Sequence, residues 1–222
     1  MLKNKILSAV GGEAKLYVDD LFQTWVSTGN GSSRTVTGPD MTKGGLSITK
    51  SRSTATGWHF VDTARGAGNS LSSNSTAASV SETTGLTAFT STGTTIGSAA
   101  EYNTSGNTYV DYLFRRAQKF FDVVTYTGNG VAGRQIPHSL GVAPGMIIVK
   151  RTDSTSNWVV YHQTQGNGAF LRLNTTDLVQ TGNNIWNYET PTSTIFTIGN
   201  DAGVNASGAT YVAYLFANDP EV

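Results

Sequence analysis

The chain has 222 residues, of which 15 are basic and 15 acidic, so no net field draws it to nucleic acid. Charged residues make up 14% against about 25% in an average soluble domain, and Ser, Thr, Gly and Asn take their place, which predicts a neutral, hydroxyl-rich surface. The lack of cysteine excludes disulfides, thiol catalysis and thiolate metal sites together, and no apolar run approaches the roughly 18 residues needed for membrane insertion.

The first element is a weak amphipathic pattern between Lys3 and Asp20, carried by Ile6, Leu7, Val10, Ala14 and Leu16 and broken by Gly11-Gly12. It predicts an N-terminal arm over residues 1–16, helical in part, that either docks on another molecule or frays. The opening lysines are those of a signal peptide, but the apolar run at 6–10 is shorter than the roughly 7 to 15 residues such a signal needs.

Beyond the arm, strand signals dominate. Runs at 46–49, 146–149, 158–161, 170–173, 194–198 and 210–216 are rich in β-branched and aromatic residues, and Gly, Asn, Ser and Asp clusters separate them. Pro137 and Pro144 deny helix at 136–150, where a turn feeds an apolar strand and His138 is expected to donate a turn-stabilising hydrogen bond. In the last run Tyr211, Ala213 and Leu215 alternate with Val212, Tyr214 and Phe216. Both faces are apolar, which predicts a central strand covered on each side.

The same passage is written twice. Residues 95–114 and 197–216 agree at 13 of 20 positions, at an offset of 102. Upstream, Lys50/Lys150, Trp58/Trp158, Gly66/Gly166, Leu71/Leu171 and Asn74/Asn174 repeat at 100, and the TGNG of 28–31 returns at 127–130. A period near 100 is the size of a complete small domain. The expectation is therefore an all-β protein: two tandem antiparallel β-sandwiches of jelly-roll or lectin-like topology over 17–117 and 118–222, with a linker at 117–121.

Residues suited to chemistry are sparse. His59, His138 and His162 have no histidine at the matching position of the other copy, no metal-ligand spacing links them, and no nucleophile, phosphate or dinucleotide motif occurs. Asp19-Asp20 is the only adjacent acidic pair, and neighbours on a strand point to opposite faces. The reading is no catalytic residue, no metal and no cofactor. Five Asn-x-Ser/Thr sequons at Asn30, Asn74, Asn103, Asn174 and Asn205 follow from composition in so Asn-, Ser- and Thr-rich a chain.

Trp58 and Trp158, kept at equivalent positions, read as core aromatics. Trp186 and Tyr188 lie among asparagines where the second copy gains length, so they suit either a structural role or contact with a sugar ring or neighbouring subunit; they are the candidate binding residues.

The segment FDVVTYTGNGVAGRQIPHSLGVAPGMIIVKR, the W-x-V-Y-H and L-x-LNTT that follow, and the closing VNASGATYVAYLFA resemble a β-rich domain of unknown biochemical function. That domain recurs in virion-associated proteins of tailed bacteriophages, notably of marine bacteria. Residues 17–117 are similar to it more loosely. The resemblance implies a virion structural protein made in the host bacterium: a tail-associated fibre or adaptor, homo-oligomeric, touching other virion proteins and a host-surface glycan. A capsid decoration protein is the alternative.

Overall fold

The computed structural model describes residues 6–7 and 16–218, and they are all-β with antiparallel pairing throughout. A two-residue ladder joins β1 (Ile6–Leu7) to β2 (Leu16–Tyr17). That part of the expected arm is strand rather than helix, and residues 1–5 and 8–15 of the arm lie outside the described residues.

The first copy then runs β3 (Phe22–Thr28), β4 (Arg34–Thr37), β5 (Gly45–Ser51), β6 (Trp58–Asp62), β7 (Asn69–Ser72), β8 (Val80–Ser81), β9 (Leu86–Thr90), β10 (Gly93–Ile96), a helical turn α1 (Ala100–Asn103) and β11 (Thr108–Arg115). The second runs β12 (Phe121–Thr127), β13 (Arg134–Pro137), β14 (Pro144–Arg151), β15 (Val159–His162), β16 (Ala169–Arg172), β17 (Gln180–Thr181), α2 (Asn183–Trp186), β18 (Ile195–Ile198), α3 (Ala202–Asn205) and β19 (Thr210–Ala217).

Each copy builds one six-stranded sheet, in the orders β3-β11-β5-β6-β7-β8 and β12-β19-β14-β15-β16-β17, which are the same order. Registers match too: Tyr112 lies opposite Thr24 and Ile48, and Tyr214 opposite Val123 and Ile148. A smaller sheet accompanies each, β4-β10-β9 in the first copy and β13-β18 in the second, where α2 occupies the sequence position of β9.

The retained residues of the repeat are those that close this fold. Asn103 and Asn205, both fully buried, accept from the backbone N–H of Asn30 and Asn129 through Oδ1. Their Nδ2 groups donate to the Ser32 and Gly97 carbonyls in one copy and to those of Val131 and Gly199 in the other. Each asparagine thereby ties the TGNG loop to the helical turn. Glycine is required in that loop, since a Cβ on Gly29 or Gly128 would stand 2.2 or 2.1 Å from the carbonyl oxygen of Thr104 or Ala206. Tyr109 and Tyr211 complete the clamp, their hydroxyls donating to the Ala100 and Ala202 carbonyls at 3.1 and 2.8 Å. Burial of both asparagines also removes two of the five sequons from any surface role.

Three apolar cores result. One fills the first copy around Val36, Val61, Ile96 and Leu113, and one fills the second around Ile147, Tyr161, Phe196 and Leu215. The third lies between the two six-stranded sheets, where Leu46, Phe60 and Leu71 of the first meet Phe121, Ile148, Trp158, Val212 and Tyr214 of the second. Sheet-on-sheet contact of this kind buries alternate residues of facing strands. β19 lies between β12 and β14 with Tyr211, Ala213 and Leu215 in one core and Val212 and Tyr214 in another, as its alternation predicts. Residues 117–121 do not form a free linker: Ala117 bridges Phe121, and Phe120 and Phe121 pack into the shared core.

Polar groups cross the same interface. Asp62, fully buried, accepts from Arg65 Nε at 2.6 Å and from the Tyr214 hydroxyl at 2.8 Å, and Arg65 also donates to that hydroxyl at 3.3 Å. The second copy has His162 and Gln165 at the matching positions, so the two copies contribute unequally.

Candidate functional site

The inequality is greatest at the repeated tryptophans. Trp158 is 0% exposed and inserts between the sheets, tilted against Phe60 at 5.1 Å, with Nε1 donating to the carbonyls of Ser72 and Ser75 at 3.2 and 3.0 Å. Trp58 is 39% exposed and stacks on Tyr112 at 6.3 Å. The expectation that both are core aromatics therefore holds for Trp158 and fails for Trp58. Both start or precede the fourth strand of their copy, but only one indole can fill the space where the sheets meet.

The place left open is a cleft of about 780 Å³ between the copies. Trp58, Ile48 and Phe60 form its apolar wall, Leu173 its opposite lip, and Asn74, Asn174 and Asp177 its polar rim. The rim is held in shape. Asn174 Oδ1 accepts from Trp158 N–H at 2.8 Å and its Nδ2 donates to Asn157, while Asp177 accepts from Arg172 at 2.9 Å, which holds its carboxyl below the usual carboxylate range. An exposed indole face beside amide, hydroxyl and carboxylate groups can stack on an apolar ring face and hydrogen-bond the hydroxyls around it.

The candidate pair Trp186 and Tyr188 is split by the structure. Trp186 is 1% exposed, packed edge-on against Tyr161 at 5.8 Å inside the second core, so it presents no face to a partner. Its position in α2, whose Ile185 and Trp186 both turn inward, removes it from the loop surface that the asparagine-rich sequence predicts. Tyr188 is exposed and lies over Gly168, where a Cβ would come within 3.0 Å of its ring.

The histidines serve three separate local roles. His138 is buried, its Nδ1 accepts from Leu140 N–H at 3.2 Å to hold the turn, and burial lowers its pKa. His162 is exposed and accepts from Thr164 N–H through Nδ1. His59 lines a small cavity in the first copy with Ser70, Glu82, Glu101 and Tyr102. Trp58, His59 and Phe60 are consecutive, so the strand alternation points Trp58 and Phe60 into the cleft and His59 to the opposite face. Sequence reasoning passed over Trp58 because its retention in both copies reads as a shared packing role. Its neighbours Ile48 and Tyr112 are retained as well, as Ile148 and Tyr214, so no local signal set Trp58 apart from Trp158.

Among the described residues no group of three His, Asp or Glu is arranged to hold a metal ion, and no helix is long and apolar enough to cross a membrane.

Fold and site together define an antiparallel all-β protein built on a duplicated strand order, with an aromatic cleft where the copies meet. The chain belongs to the family described as Domain of unknown function (DUF7483), whose model matches residues 18–220 and so takes in both copies as one unit. No curated protein and no solved structure matches it.

Proposed function

We propose that this protein is a structural component of a tailed-bacteriophage virion, a tail-associated fibre or adaptor whose two β-sandwiches, over 17–117 and 118–222, adhere to host-surface glycans. The observation that carries the adhesive part is the exposed Trp58 in a polar-rimmed cleft of about 780 Å³. A pyranose offers an apolar face to an indole and hydroxyls to amide and carboxylate groups, and the cleft supplies both. The neutral, hydroxyl-rich surface avoids non-specific charge attraction. Weak single-site affinity suits a homo-oligomer on a particle, where linked sites raise avidity by about 10²–10⁴.

The test has two arms. In the first, the full chain is titrated against glycans of the host surface. Trp58→Ala should weaken binding by about tenfold or more, on the scale of about 1.4 kcal/mol per decade, with the fold intact; unchanged binding refutes the cleft. The second counts copies per purified particle by quantitative mass spectrometry. A few to a few dozen fits a tail protein, and hundreds would move the chain to capsid decoration.

A further inference from the structure

The two copies carry small cavities at equivalent places, beside the helical turn that precedes the last strand. The one in the second copy, about 200 Å³, is lined by Val159, Phe170, Ile185 and Gly203 together with Arg172 and Asp201. The one in the first, about 280 Å³, is lined by His59, Ser70, Asn74, Glu82, Glu101 and Tyr102 among others. Lining residues correspond by sequence: His59 to Val159 and Ser70 to Phe170 at an offset of 100, and Glu101 to Gly203 at 102; Tyr102 corresponds to Val204, which belongs to the second core. At these positions the first copy places imidazole, hydroxyl and carboxylate groups where the second has Val159, Phe170 and Gly203, while Ser156, Asn157, Arg172 and Asp201 supply the polar part of the second cavity.

The polar lining is organised. The hydroxyls of Ser70 and Tyr102, both buried, lie 2.7 Å apart, and the His59 ring packs on Tyr102 at 4.6 Å. His59 is 6% exposed. Its Nε2 stands 3.1 Å from Glu101 Oε2 but out of line for a hydrogen bond, and it has no aligned partner among the described residues. Burial holds the His59 pKa below its ordinary value, against the opposing pull of Glu101 and Glu82, so the ring is neutral near neutral pH. The two carboxylates therefore set the charge of the cavity, and among the described residues neither is paired with Lys or Arg. Polar groups in place of Val and Phe cost stability unless they are satisfied, and such exceptions collect at sites in use.

We infer that the first-copy cavity binds a small hydroxylated primary amine, its ammonium held by Glu82 and Glu101 and its hydroxyls meeting Ser70, Tyr102, Asn74 and the unpartnered nitrogen of His59. The site lies on the other face of β6 from the Trp58 cleft, sharing only Asn74 with it, and stands whether or not that cleft takes glycans. Size admits one monosaccharide-sized ligand. Glucosamine is the direct probe, with glucose and N-acetylglucosamine as uncharged counterparts.

The experiment is a chemical-shift titration of the full chain near neutral pH, reading His59 and Tyr102. Glucosamine should give saturable shifts at both residues, and glucose and N-acetylglucosamine should bind at least about tenfold more weakly. Glu82→Gln with Glu101→Gln should weaken glucosamine binding by at least about tenfold. Glu101 is largely exposed, and a Gln at 82 keeps an acceptor oxygen for the Thr84 N–H and hydroxyl that Glu82 binds, so the melting temperature should change little. His59→Val, which installs the second copy's residue, should also weaken it. Trp58→Ala should leave it intact. Equal binding of glucose, indifference to the double substitution, shifts at Trp58 in place of His59, or no shifts at all would each overturn the inference.

Discussion

The repeated tryptophans allow a controlled perturbation, because the same substitution at matched sequence positions meets two environments. Trp158→Ala empties a fully buried site in the core between the sheets, for which Trp-to-Ala changes cost about 3–5 kcal/mol. It also removes the indole donor to the Ser72 and Ser75 carbonyls, which adds about 1 kcal/mol. Trp58→Ala gives up one stacked contact with Tyr112 at a site already 39% exposed, a loss of roughly 1 kcal/mol or less. For a chain of this size about 1 kcal/mol shifts the melting temperature by about 2–4 °C. The expected falls are thus about 8–24 °C for Trp158→Ala and at most about 4 °C for Trp58→Ala. Differential scanning calorimetry with urea unfolding as a second probe measures both. The shared core further requires that the unsubstituted chain melt in one transition. Equal shifts for the two variants, or two independent transitions of which Trp158→Ala moves only one, would show that the sheets do not share a core as described.

Trp186→Ala should destabilise by about 3–5 kcal/mol and Tyr188→Ala by less than about 1 kcal/mol, since the first is core and the second exposed; chemical denaturation compares them. Asn205→Ala should cost about 1–3 kcal/mol, because the loop N–H of Asn129 and the carbonyls of Val131 and Gly199 lose their buried partner; faster amide exchange at 129–131 would mark the released loop. Lys150 is fully buried, and burial, with Arg151 and Arg65 nearby, lowers its pKa from 10.5 to about 8. The unfolded chain then binds this proton more readily than the folded one, so the penalty is full below pH 8 and fades as pH rises to 10.5. Lys150→Met should raise stability near neutral pH, with a gain that shrinks over that window; a constant difference between the unfolding curves would refute it.

Much of the architecture was legible in residue order. Strands follow from β-branched and aromatic runs between turn residues, and the centrality of 210–216 follows from apolar residues on both of its faces. The duplication was legible because the clamp it encodes is local: Asn103 and Asn205, the TGNG glycines and the corner tyrosines Tyr109 and Tyr211 must recur wherever that loop closes. The two-residue gain in the second copy was visible as well, though its outcome was not. It coincides with α2 where the first copy has β9, and the turn carries Trp186 inward while leaving Tyr188 in solvent.

Which side chains end up buried between the sheets was decided by tertiary structure alone. Strand alternation sorts residues onto faces, but what a face meets depends on a partner about a hundred residues away, and no local pattern records that pairing. Equivalent positions therefore diverged: Trp158 fills the contact and Trp58 borders a cleft, and Asp62 with Arg65 and Tyr214 forms an ion-paired cluster that His162 and Gln165 do not reproduce. His59 follows the same logic. Its sequence neighbours face the other sheet, and only the fold brings it beside Ser70, Glu101 and Tyr102. The repeat could be read from one chain because each copy satisfies its own backbone; the cleft could not, because two like faces in contact leave room for only one of two like side chains.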